Sequence, residues 1–349
     1  MGRLDHLRQQ AHVIAINLIL IVSGIVAVEC LMGDWFRSFV PPDAAIVDRT
    51  YVYAQKLYDP PSEVTYTRDK YGLRGVSEAL HDIDVVTVGG STTDERYITE
   101  GQTWQDVIRA VDRIHIANAG VDGMTSSGHL IAVAEWLHQI PELAPKYYLH
   151  LIGGNDALFS QFSQNYDRSG KDSSFIQKVL NRSALARAYR QIRNLLMSQR
   201  SLGVGHFRID PDGEPKVEVE ADRLGGLDRY IKNIYQPNLE KLLKLHGERG
   251  EIAIFVSQPV NPELVVSRGE ATFISKQILN LSDWALRLRI INRTTKTICE
   301  KHPQECRFVD LANELEFAKG DFYDSLHATP TGARKIGTYL AGKLLEFSK

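Results

Sequence analysis

Four short blocks hold the residue types from which acyl transfer is built. Ser91 follows the β-forming run "DVVTV" and the pair Gly89-Gly90, and Asn155 follows "KYYLHLIGG". Asp324 and His327 lie three residues apart in "DSLH", just before the last helical pattern. A serine hydroxyl is a weak nucleophile and needs a base. Histidine suits that task because its pKa lies near neutrality, and a carboxylate can fix its tautomer and stabilise its charged form. The tetrahedral intermediate carries an oxyanion that needs preorganised donors. The Ser91 N–H, the Gly123 N–H in the turn "NAGVDG" and the Asn155 side-chain amide could supply three. Gly120 competes with Gly123 for this role, and Asp310, at the end of "RFVD", competes with Asp324.

These residues need a frame that brings them to one place. From residue 83 onward, apolar strand-like runs alternate with helical patterns: "IDVVTVGG", "IHIANAG", "KYYLHLIGG", "EIAIFVSQP" and "RFVDLA". Apolar periodicity predicts helices in "TWQDVIRAVD", in "SSGHLIAVAEWLHQI" capped by Ser126 or Ser127, over 174–200, 223–248 and 271–300, and in "TPTGARKIGTYLAGKLLEF". Uninterrupted apolar runs alternating with helices imply a mostly parallel sheet buried on both faces. In such sheets ligands bind outside the carboxyl ends of the strands. That is where Ser91, the glycine turn and Asn155 fall, with the Asp324/His327 pair beyond the fifth strand.

The blocks "GGSTT", "NAGVDG", "GGND" and "DSLH", in this order over residues 83 to 347, resemble the SGNH (GDSL-type) hydrolases. The resemblance implies a flavodoxin-like three-layer α/β/α sandwich with a five-stranded parallel sheet of order 2-1-3-4-5. It implies Ser91 as nucleophile, His327 as base, Asp324 as its orienting carboxylate, and Gly123 and Asn155 completing the oxyanion hole with the Ser91 N–H. The sequence departs from the family at Gly90, where the first block usually has aspartate. The lead-in "YTRDKYGLRG", Tyr66 to Gly75, is similar to the preamble of membrane-anchored bacterial members.

Residues 13–32 form an almost uncharged stretch, "VIAINLILIVSGIVAVECLM", near the roughly 20 residues that span a bilayer. Arg3 and Arg8 precede it and acidic residues follow, so the positive-inside bias places residues 1–12 in the cytoplasm. A single-pass signal anchor is the leading reading, against a cleaved signal peptide or a buried helix. With the bacterial source that the resemblance implies, the catalytic domain faces the periplasm or the cell exterior. Residues 33–82 read as an irregular stalk and lead-in, and 83–349 as the hydrolase domain, with an insertion at about 157–222.

The net charge of -2 and the lack of a long basic run give no sign of a nucleic-acid partner. Cys299 and Cys306 are close enough in sequence to form a disulfide in an oxidising compartment, with two free thiols as the alternative. No Cys/His spacing suggests zinc, no phosphate-binding glycine motif is complete, and no cofactor is expected. Of the eleven histidines, His115 and His150 fall in expected strands and read as satisfied core or sheet-surface residues. His129 and His138 share a helix with no carboxylate pairing that suggests a metal. Asp156 reads as a loop stabiliser. Arg187, Arg190, Arg193 and Arg200 form a positive face, either solvated or suited to an anionic glycan or lipid head group.

The expected activity is hydrolysis of O-acyl, chiefly O-acetyl, esters on an envelope carbohydrate or lipid through an acyl-serine. An envelope O-acyltransferase using the same site is the alternative, and a non-catalytic glycan-binding protein is the third reading.

Overall fold

The computed structural model describes residues 2–33, 35, 49–75, 79–111, 114–159, 175–186, 188–189, 192, 226–261, 272–274, 277–279 and 281–347. The chain divides into two compact units, Met1–Ala45 with Asp172–Gly203, and Ile46–Lys171 with Val204–Lys349.

In the first unit, α1 runs over Gly2–Met32. Its segment Gln9–Met32 has a mean hydropathy of 2.5 and none of it is buried. At 1.5 Å per residue those 24 residues measure about 36 Å, enough to cross a hydrocarbon core of about 30 Å. By length and composition, α1 suits a membrane anchor or a signal sequence.

The second unit opens with a feature at odds with an irregular lead-in. β1 (Arg49–Gln55) and β2 (Ser62–Arg68) pair antiparallel along all seven residues of each. Their sequences, "RTYVYAQ" and "SEVTYTR", are rich in β-branched and aromatic side chains. Val64, Tyr66 and Arg68 alternate inward along β2 and are buried. Residues 36–48 of the expected stalk lie outside the described residues.

The main sheet then assembles around β3 (Val85–Gly89), which leads into the single-turn helix α2 (Ser91–Asp94). α3 (Trp104–Arg109) is closed at its start by a reciprocal capping box between Thr103 and Asp106. β4 (Ile116–Asn118) precedes α4 (Ser126–Ile131), whose cap is Thr125, one residue before Ser126 and two before Ser127, the expected caps. β5 (Tyr147–Ile152) leads into α5 (Gly154–Phe159). α6 (Phe175–Arg182) belongs to the first unit. α7 (Leu227–Tyr230) continues through a π-helical turn into α8 (Gln236–Gly247), ahead of β6 (Ile252–Ser257).

A second difference from the sequence reading follows β6. The expected helix over 271–300 begins only at α9 (Leu281–Lys301), and a small antiparallel ladder precedes it, β7 (Thr272–Ile274) with β8 (Gln277–Leu279). Thr272, Phe273, Ile274 and Ile278 favour a pleated strand, and helical periodicity read through them overran the boundary. β9 (Cys306–Val309), α10 (Leu311–Glu314) and α11 (Pro330–Phe347) complete the chain.

The five parallel strands lie in the order β4-β3-β5-β6-β9, which is 2-1-3-4-5 when counted from β3. All residues of β3, β4 and β5 are buried, as a sheet covered on both faces requires. Side chains alternate across β5. Tyr147, Leu149 and Leu151 join Trp104, Ile108, Ile336 and Leu340 in the core on one face. Tyr148 and His150 point to the other, where Tyr148 lies against His246 of α8. Cys299 at the end of α9 and Cys306 at the start of β9 form a disulfide with their Cα atoms 5.2 Å apart, and Cys30 is a free, exposed thiol.

Candidate active site

Ser91 sits where the β3 backbone stops pairing and α2 begins. Gly89 and Gly90 permit this because side chains there have no room: a Cβ on Gly89 would strike Thr93, and one on Gly90 would fall on Asn155 Nδ2. A side chain at Gly90 would therefore meet the Asn155 amide, which would have to move to admit it.

His327 Nε2 lies 2.7 Å from Ser91 Oγ, and His327 Nδ1 lies 2.6 Å from Asp324 Oδ2. The other Asp324 oxygen accepts the N–H groups of Leu326 and His327 at 2.9 and 2.7 Å. Burial opposes ionisation of Asp324, but the facing His327 and these N–H groups outweigh it and hold the carboxyl below its usual range. The loop carrying the pair is itself fixed. Asn261 donates its side-chain amide to the Asp324 carbonyl at 3.1 Å, and its N–H to the Ser325 carbonyl at 2.8 Å. The Tyr323 ring stacks on the His327 imidazole, with centroids 5.5 Å apart and planes 10° from parallel. Asp310, the rival orienter, accepts hydrogen bonds from Ser257 and Asn313 instead.

The three expected oxyanion donors fall on the turns after β3, β4 and β5. Neither the Ser91 N–H nor the Gly123 N–H meets a backbone acceptor among the described residues. Gly123 has φ of 82°, a conformation that favours glycine. Gly120 is committed elsewhere: its N–H donates to Asn118 Oδ1 at 2.8 Å, and a Cβ there would strike the backbone of Asp94. Asn155 Nδ2 donates one hydrogen to the Met124 carbonyl at 2.8 Å, which leaves its second hydrogen unassigned. Asp156 is buried and accepts from the Ser126 hydroxyl at 2.6 Å and from Tyr230 at 2.8 Å, so it holds the start of α4.

The residues that sequence reading missed hold the turn that follows Ser91. Arg68, buried, donates to Asp94 Oδ1 at 2.6 Å, to the Tyr66 hydroxyl and Gly72 carbonyl at 2.7 Å each, and to the Gly120 carbonyl. Arg74, equally buried, donates to the carbonyls of Asp94 and Ile98, and its Nε lies 3.3 Å from Glu100. The β1–β2 lead-in therefore ties the turn after Ser91 to the turn after β4. Glu95, directly after α2, is buried with its carboxylate on the Trp104 N–H at 2.8 Å, and burial pushes its pKa up to about 8. Beside the turn, Thr92 donates to Gln258 Oε1 at 2.9 Å. Gln258 also borders a cleft of about 500 Å³ lined by Val260, Arg289, Arg293, Lys296 and Asn313.

One group of described residues converges as metal ligands would. Donor atoms of His138, His246 and Glu251 lie within 4.8 Å of one another. This corrects the expectation that His138 has no carboxylate partner. The three already satisfy one another, because Glu251 Oε2 lies 2.9 Å from His138 Nε2 and 2.8 Å from His246 Nδ1. The chain continues from His246 to His150 at 3.1 Å and from His150 to His129 at 3.0 Å. His150 and His129 are thus core residues, but within a buried polar chain rather than an apolar contact.

No protein-family model matches the sequence, and no curated protein matches it. Among solved structures, the chain is similar to a lipolytic protein of the G-D-S-L family from Veillonella parvula, at 14% identity and a TM-score of 0.42, over 76% of this chain and 97% of the other. It is also similar to a GDSL-like lipase from Bacteroides thetaiotaomicron, at 12% identity and a TM-score of 0.41, over 78% and 93%. An acetyl-xylooligosaccharide esterase from Geobacillus is a further neighbour, at 14% identity and a TM-score of 0.39, over 78% and 95%.

Proposed function

We propose that this chain is a serine esterase that hydrolyses O-acyl esters, chiefly O-acetyl esters of an envelope carbohydrate or lipid. In this reading α1 anchors it in the cytoplasmic membrane with the catalytic unit outside. The observation that carries the proposal is the unbroken hydrogen-bond chain from Ser91 through His327 to Asp324, beside N–H groups with no backbone acceptor.

His327 Nε2 takes the Ser91 proton while Oγ attacks the ester carbonyl. Asp324, held ionised, accepts from Nδ1–H and stabilises the imidazolium. The carbonyl oxygen becomes an oxyanion and takes hydrogen bonds from the Ser91 N–H, the Gly123 N–H and Asn155 Nδ2. Collapse expels the alcohol, which leaves with the proton from Nε2, and Ser91 is acylated. Water then gives its proton to Nε2, attacks the acyl carbonyl, and releases the acid as Ser91 Oγ recovers that proton. The stacked Tyr323 ring and the Asn261 hydrogen bonds keep the imidazole and its loop in register throughout.

Hydrolysis of a p-nitrophenyl ester series by the intact protein, by Ser91→Ala and by His327→Ala tests the proposal. Activity in the first and none above background in the other two is expected. Equal activity in all three proteins contradicts it.

A further inference from the structure

The first unit contains a second element with the character of a lipid-contacting surface. α6 ends at Arg182, Ser183 breaks it, and residues 184–186 and 188–189 are again helical. Along these pieces five of the described apolar side chains face outward. Ile176 is 68% exposed, Tyr189 66% and Ile192 58%, with Leu180 and Leu185 exposed as well. Ile176 and Leu180 are four residues apart, as are Leu185 and Tyr189, and Ile192 lies three further on, so each piece presents one apolar stripe.

Two observations say what covers the stripes. The first is their tether. Glu29, three residues before the end of α1, accepts the Ser183 hydroxyl at 2.7 Å, the N–H groups of Ala184 and Leu185 at 3.0 and 3.1 Å, and Trp35 Nε1 at 2.9 Å. It supplies the acceptors that the first N–H groups of a helical turn lack. Arg182 adds a bond to the Trp35 carbonyl at 3.3 Å. The segment is thus joined to the last turn of the apolar helix, the level at which a spanning helix leaves the hydrocarbon. The second is charge. From Ser173 to Arg200 the sequence has six Lys and Arg residues and no Asp or Glu. Outward apolar stripes in a purely cationic segment are the combination that lies in an anionic lipid interface.

We infer that the segment from Ile176 to Ile192 docks on the surface of an anionic phospholipid bilayer, its apolar side chains at the boundary between head groups and acyl chains. The inference rests on α1 spanning that bilayer, as proposed above. It gives the anchor a second point of contact, so that this unit is held by two elements rather than swivelling on one helix.

Nitroxide accessibility of the full chain in phosphatidylglycerol-containing nanodiscs tests it. Single labels are introduced by Leu180→Cys, Leu185→Cys, Tyr189→Cys or Arg182→Cys in a Cys30→Ser background, and by Ile19→Cys as a control within the span. The docked segment favours oxygen over a water-soluble nickel chelate at 180, 185 and 189, and the reverse at 182. Adding Leu185→Glu to the label at 180 lowers its oxygen-to-nickel ratio about tenfold, because a charged side chain replaces an apolar one in the stripe. Nickel access at all four sites with Ile19 protected overturns the docking alone, whereas nickel access at Ile19 overturns the anchor with it. Shielding of 180, 185 and 189 from both reagents, unchanged in lipid-free amphipol, assigns the stripes to a protein partner and also overturns the proposal.

Discussion

Replacing Gly90 by alanine is expected to abolish most of the activity while leaving the fold intact. The new Cβ falls on Asn155 Nδ2, and the next atom, the Met124 carbonyl oxygen, is 3.4 Å away. Because Nδ2 is the end of a rotatable side chain, the amide gives way rather than the backbone. Gly90 has a negative φ of -80°, so the substitution removes no left-handed backbone conformation. The displaced amide loses its bond to Met124 and its aim at the oxyanion. Loss of one such donor costs about 10²–10³ in kcat, or about 2.7–4 kcal/mol. Asn155→Ala is expected to cost the same. The double variant should lose no more than Asn155→Ala alone, because the clash has gone with the amide, and residues in contact couple in this way. The assay is kcat for p-nitrophenyl acetate with the folded fraction checked by circular dichroism. Wild-type kcat in Gly90→Ala, or losses that multiply in the double variant, refutes the reasoning.

Other outcomes follow from the same contacts. Asp324→Asn removes the acceptor that fixes the His327 tautomer and should lower kcat by about 10⁴ with little change in KM, measured by steady-state kinetics. Arg68→Ala leaves Asp94 buried without its principal cation and should cost about 3–5 kcal/mol in urea unfolding. Arg68→Lys should not restore it, because one ammonium cannot reach four acceptors fixed for a planar fork. Burial lowers the His129 pKa to about 3 and also lowers those of His150 and His246. The unfolded chain therefore takes up protons below about pH 6.5 that the folded chain refuses, and stability present above that pH is lost as the pH falls toward 3. His129 alone accounts for about 2 kcal/mol between pH 7.5 and 5. A flat unfolding free energy over that interval contradicts this.

The sequence disclosed most of the main sheet, because each buried parallel strand leaves an apolar run, and those of β3 and β5 end in paired glycines. It pointed to Ser91, Asp324 and His327, which the structure brings within hydrogen-bond reach of one another, because loops beyond strand ends converge on one edge of the sheet. Arg68 and Arg74 were not legible. Each binds groups 20 or more residues away, and two arginines in a hairpin read as solvent-facing until their acceptors are known. The pairing of His138 with Glu251 spans 113 residues and was missed for the same reason. The β7–β8 ladder was lost to helical periodicity carried too far upstream of Leu281. Gly90 departs from the motif, and the contact that a side chain there would make with the Asn155 amide was not legible from the sequence.

The central claim is that Ser91 is the nucleophile activated by His327. A fluorophosphonate probe followed by peptide mass analysis tests it most directly. A single adduct on the peptide bearing Ser91, lost in Ser91→Ala and strongly slowed in His327→Ala, is the predicted result. No adduct on the folded protein, or an adduct on another residue that persists in Ser91→Ala, contradicts it.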